Sequence, residues 1–175
     1  MAQAAPIIFA GDHTLLPNTP GQIIQIMISG AAEDPEIEGV NLYLQIGNAN
    51  SGPVITALEL VNGTIFQGTT NFADDLGTVP APQWQAAQGV TLLSPASIPV
   101  PSNGVLATLT LDTTGLTSGS WSLILDPSAI GTTDFGGAPA TLINGTLSIP
   151  EPASLVLLAG LGVGWMGRRR ASERH

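Results

Sequence analysis

Residues 39 to 47 read Gly-Val-Asn-Leu-Tyr-Leu-Gln-Ile-Gly, an alternation that sends Val40, Leu42, Leu44 and Ile46 to one side and Asn41, Tyr43 and Gln45 to the other. A period of two marks a half-buried strand, because successive side chains of extended backbone leave on opposite faces. The pattern recurs. In Gln22–Ile28, Ile24, Ile26 and Ile28 share a side, although Ile23 and Met27 leave the other side apolar as well. Val105, Ala107, Leu109 and Leu111 alternate with Thr108, Thr110 and Asp112, and Trp121, Leu123 and Leu125 follow after the turn Thr117-Ser118-Gly119, an arrangement that assigns Trp121 to the core. Residues 11 to 148 sustain no apolar period of 3.6, so the expected fold class is all-β: antiparallel strands, each with one buried face, packed as a two-sheet β-sandwich.

Composition narrows the function. Charged residues are 10% of the chain, against roughly a quarter in ordinary globular domains, while 21 Gly and 14 Pro favour strands and turns. The 175 residues suit one domain of about 140 residues and a tail. There is no lysine, and the four basic residues are Arg168, Arg169, Arg170 and Arg174. Residues 1 to 167 thus hold twelve acids (13 minus Glu173) and no Lys or Arg. Such a body cannot neutralise phosphates, which excludes nucleic acid as its partner. With no cysteine, disulfides, thiolate metal sites and cysteine nucleophiles are excluded together, while export stays open because a sandwich of this size needs no staple.

The arginines follow Ala153–Met166, fourteen uncharged residues that would span about 21 Å as a helix, short of the ~30 Å of bilayer hydrocarbon. Gly160, Gly162, Gly164 and Gly167 weaken the alternative of a buried helix in water by about 1 kcal/mol each. Glycine is better tolerated in membrane helices, and basic residues beyond such a segment hold its C-terminus in the cytoplasm, so Arg168, Arg169 and Arg170 read as a stop-transfer signal. Pro150 and Pro152 separate the segment from the body.

Pro150-Glu151-Pro152, a short apolar stretch and an arginine cluster at the C-terminus resemble the PEP-CTERM sorting signal of Gram-negative bacteria. The resemblance implies an exported protein held transiently in the inner membrane by a short C-terminal helix, cut near Pro150, Glu151 and Pro152 by an exosortase-type membrane protease, and delivered to the cell surface or extracellular matrix. It also leads to the expectation of an N-terminal secretory signal. Met1–Pro6 has no basic n-region and Pro6–Ala10 is too short for an h-region, but Ala2-Gln3-Ala4 has the form of a cleavage site. Residues 1–10 are therefore read as a signal-peptide remnant or N-terminal arm, 11–149 as the sandwich and 150–175 as the sorting signal.

A second resemblance covers the body. Pro20-Gly21-Gln22-Ile23-Ile24, then Ile37–Leu44, Val54–Leu60, Gly104–Leu111 and a closing Asn144–Ile149 follow the feature order of the cohesin and carbohydrate-binding-module superfamily. It implies a jelly roll of about nine strands, in which true cohesins bind dockerins through one sheet face.

Catalytic and metal chemistry find little footing. His13 and His175 are the only histidines, so a Ser-His-Asp site would rest on His13 and a histidine zinc site lacks ligands. Asp74, Asp75, Asp126 and Asp134 offer carboxylate pairs for glycoside hydrolysis, or oxygen ligands for Ca²⁺, without the spacing of a calcium loop; solvated loops capped by aspartate are the plainer reading. Trp84, in the loop Pro80–Gln85, and outward-facing Tyr43 are the candidate glycan contacts, with packing beneath a loop as the alternative role for Trp84. The expectation is a non-catalytic surface or matrix protein, structural or adhesive, without a cofactor. The alternatives are a glycan-binding module engaging exopolysaccharide in the matrix and a cohesin-like module docking another surface protein.

Overall fold

The computed structural model describes residues 6–30, 39–68, 71–74, 83–92, 103–127, 130–135 and 138–151. These form two facing sheets. Sheet A holds β1 (Ile7–Phe9), β3 (Gln22–Ser29), β5 (Val54–Glu59), β8 (Gly104–Asp112) and β12 (Thr141–Ile143), in the order β12-β1-β3-β8-β5. Sheet B holds β2 (Asp12–Thr14), β4 (Gly39–Ile46), β6 (Asn71–Asp74), β7 (Gln85–Leu92), β9 (Gly119–Leu125), β10 (Asp134–Phe135), β11 (Ala138–Pro139) and β13 (Gly145–Ile149). Its order is β11-β10-β4-β9-β13-β2, with β7 on the other edge of β4 and β6 beyond it. The all-β sandwich is as expected, and the segment read as a C-terminal helix lies outside the described residues.

The core follows the alternation. Ile24, Ile26 and Ile28 meet Val40, Leu42, Leu44 and Ile46 across the gap, with Leu109, Leu111, Leu123, Leu125, Leu147 and Ile149 completing it. Ile23, on the outer face of β3, is 69% exposed. One strand departs from simple alternation. The β3–β8 register runs Ile26 to Ala107 and then Met27 to Val105, so Leu106 is an extra residue. A bulge of this kind turns two neighbours the same way, and Leu106 and Ala107 are buried while Val105 moves outward.

The sheets are mixed, which corrects the expectation of purely antiparallel strands. β1 pairs with β12 and β2 with β13 in parallel. Alternation specifies faces but carries no information on strand direction, so the sequence pattern could not reveal this. Both chain ends pass from sheet A to sheet B side by side, joined by Thr141 N–H to Pro6 O (2.9 Å), Ala10 N–H to Ile143 O (2.9 Å), Thr146 N–H to Gly11 O (3.2 Å) and Leu15 N–H to Ser148 O (2.8 Å). At the crossing, Gly145 lies so close to the Gly11 backbone that any Cβ would overlap its carbonyl.

Between β9 and β10 the chain leaves the sheet and returns. Asp126 takes a φ of 65° to start the excursion, and Thr133, buried, ends it. Thr133 Oγ1 accepts from Tyr43 N–H (2.9 Å) and donates to Tyr43 O (3.1 Å), while Thr133 N–H donates to Asp126 Oδ1 (3.0 Å).

Gly145→Ala forces backbone against backbone at the crossing, where no side chain can yield; it should cost about 3 kcal/mol and lower the melting temperature by roughly 10 °C. Gly115→Ala, with open space and φ +83°, should cost only about 1 kcal/mol. Thermal denaturation of the two variants checks this ranking.

Candidate functional site

The last strand delivers the proline motif to the surface. β13 is hydrogen-bonded on both sides, antiparallel to β9 through five pairs ending at Ile149 opposite Gly119, and parallel to β2. Ile149 is buried, and Pro150 and Glu151 are exposed immediately after it. Pro152 and Arg168, Arg169 and Arg170 lie outside the described residues. Extended, antiparallel-paired backbone thus ends one residue before the motif, where proline has no N–H with which to continue the ladder.

The two candidate glycan contacts stand on opposite faces of sheet B. Tyr43, on the outer face of β4, is half-buried, its ring lying against Gly131, where a Cβ would strike it. Ile46 N–H donates to Trp84 O (2.8 Å), so Trp84 continues the β4–β7 register opposite core residue Ile46 and packs against the core. Its indole Nε1–H donates to Gly52 O (3.0 Å). Trp121 is half-buried rather than fully internal; its ring lies over Gly119 and against Gly47 and Gly52. The two indoles converge on Gly52 and close the end of the sandwich from which Pro150 emerges, an arrangement the sequence analysis missed. Alternation had signalled Trp121 as inward, but nothing local joined Trp84 to it.

The outer face of sheet B is polar and uncharged at its centre: Gln85 Nε2 donates to Gln45 Oε1 (2.6 Å), with Ile124 paired beside Gln45 and Ser122 exposed on the same face. Among the described residues, several acids hold turns and strand edges. Asp126 receives Thr133 N–H, and Asp134 Oδ1 accepts from Asn41 Nδ2 (3.0 Å). Partial burial opposes ionisation of Glu59, but hydrogen bonds from the Asn62 side chain and backbone and from Val61 N–H outweigh it and hold the carboxyl below its ordinary range. Hydrogen bonding by Thr114 does the same for Asp112. His13 Nε2 lies 2.8 Å from Ala10 O, at the strand crossing. Among the described residues no three His, Cys, Asp or Glu side chains gather as metal ligands. Asp75 lies outside the described residues.

Comparison with known proteins agrees with this geometry. Residues 148–170 match the PEP-CTERM protein-sorting motif. No curated protein matches the chain. The body is similar in structure to the seventh ScaB type I cohesin of Pseudobacteroides cellulosolvens (TM-score 0.60, 12% identity, covering 84% of this chain and 93% of that one). It is also similar to a cohesin–dockerin complex chain of Clostridium thermocellum (0.57, 15%, 86% and 99%) and to a non-cellulosomal cohesin of the archaeon Archaeoglobus fulgidus (0.53, 19%, 85% and 93%). The chain therefore combines a cohesin-like β-sandwich with a PEP-CTERM sorting motif, which implies export and sorting by an exosortase.

Proposed function

We propose that this is a non-catalytic docking or adhesive protein of the cell surface or extracellular matrix, exported as a membrane-held precursor and cut near Pro150-Glu151-Pro152. The observation that carries this reading is the junction: β13 ends at buried Ile149, and the Pro-Glu-Pro element of the matched motif starts at exposed Pro150, the match overlapping the strand only at residues 148–149. A protease acting there removes the tail (residues 153–175) without breaking a strand pairing. The division into sandwich and sorting signal at 149/150 rests on the same junction.

The fold supports docking as the working activity. Related sandwiches from Clostridium thermocellum and R. flavefaciens occur in complexes with dockerins. In this chain the outer face of sheet B along β4 and β9, with Ser122 exposed and Gln45 and Ile124 half-buried on paired strands, is the surface assigned to a protein partner. Tyr43 and Trp84 lie on opposite faces and so form no joint stacking platform for a sugar.

Two outcomes follow. Intact-mass spectrometry of the protein from its host should give a C-terminus within residues 149–152, and Glu151→Ala should accumulate uncut chain in the membrane fraction; wild-type protein retaining residues 153–175 at the surface would contradict the reading. Capture of exported proteins from that host should return one partner that Ile124→Arg loses without a change in melting temperature, whereas capture indifferent to that face would remove the docking assignment.

A further inference from the structure

The sandwich has two unlike ends, and the tail leaves from one of them. β3 begins beside the end of β8, with Gln22 opposite Leu111. Asn18 N–H donates to Leu116 O (2.9 Å) and Thr113 N–H to Thr19 O (3.1 Å), which joins loop 15–21 to loop 113–118. Gly119 opposes Ile149, and Gly47 N–H donates to Ser122 O (2.8 Å), bringing loop 47–53 and the chain exit to the same end. The segments Leu15–Gly21, Gly47–Pro53 and Thr113–Gly119 contain no charged residue in a chain with 13 acids. Among the described residues of this end the charges are Asp112 and Glu151.

We infer that this end of the sandwich rests on the bilayer interface while the tail is inserted, with Leu16 entering the headgroup layer and Trp84 and Trp121 behind it. The inference rests on the sorting-signal reading, which supplies the anchor. Chain length then sets the distance. Glu151 is two residues from Ala153, where the apolar segment starts, a span of at most about 7 Å. The polar layer on each side of the hydrocarbon is itself only about 5 to 8 Å thick. A folded body tethered that closely lies against the membrane, and the tether decides which end does so.

The chemistry of this end suits the location. Leu16 is 63% exposed, so its side chain is free to enter an apolar layer. Its backbone needs no water: Leu16 N–H donates to Gln22 Oε1 (2.6 Å), and Leu16 O accepts from Gln22 Nε2 (3.1 Å) and buried Thr113 Oγ1 (2.8 Å). Entering the interface therefore strips hydration from an apolar side chain and not from unpaired peptide groups, whose desolvation would oppose it. Half-buried indoles at the same end are the side chains that favour the boundary between apolar and wet surroundings. Docking in this way holds Pro150-Glu151-Pro152 at the plane where a membrane protease reaches it.

The absence of cysteine allows a direct test. The full chain is reconstituted in phosphatidylethanolamine–phosphatidylglycerol vesicles, carrying a nitroxide label at Thr117→Cys, an exposed position of the exit end, or at Thr141→Cys, an exposed position at the opposite end. Vesicle flotation reports tail insertion, and collision with a water-soluble nickel chelate reports exposure of the label. The expected result is flotation of both proteins, with nickel access at position 117 severalfold below that at 141, and the difference abolished by Leu16→Asp. Flotation with equal access at the two positions overturns the inference and leaves the sorting reading intact. Failure to float overturns both.

Discussion

The close passage of Gly145 over the Gly11 carbonyl is the contact on which the arrangement depends. It lets the first and last segments of the chain cross together from sheet A to sheet B, so β1 and β12 close one sheet while β2 and β13 close the other. The core is then sealed by the last strand, with Leu147 and Ile149 buried in it. Residues needed for folding therefore run up to position 149, and the part of the sorting sequence that can be removed lies after it. Placing the motif at Pro150 satisfies both demands with no linker, at a residue that cannot extend the ladder.

That junction gives the sandwich a polarity. Among the described residues its exit end is built from uncharged loops, pinned by the side chains of Gln22 and Thr113 and closed by Trp84 and Trp121 around Gly52. Glu59, Asp126 and Asp134 lie away from that end, holding turns and strand edges. A body without Lys or Arg before residue 168 has little attraction for anionic lipid headgroups. Close approach to a membrane therefore depends on the tether and on apolar contact.

Much of this was legible in the sequence. Alternation located β3, β4, β8 and β9 because each has one wet face, and the C-terminal signal was recognised by the resemblance of Pro150-Glu151-Pro152, the apolar stretch and the arginine cluster to a known sorting motif. β7 escaped because it is covered on both sides: Gln85, Ala86, Ala87 and Val90 are all buried, and Gln88 takes an inward place opposite Leu42, so no alternation survives. β1, β2 and β12 have three residues each, too few to show a period. The bulge at Leu106 shifted the register that Val105 had suggested. The convergence of the tryptophans was hidden for another reason, since Gly52, Trp84 and Trp121 come from three separate segments and meet only when the sheets close.

The central claim is that the domain is complete before the Pro-Glu-Pro element begins. Comparing the melting temperature of the full chain in detergent with that of a chain ending at Glu151, and of another ending at Asn144, tests it most directly. The account predicts that removal of residues 152–175 leaves the melting temperature unchanged, whereas loss of β13 abolishes the cooperative transition. A chain ending at Glu151 that melts as poorly as the one ending at Asn144 would make the tail part of the fold and contradict the account.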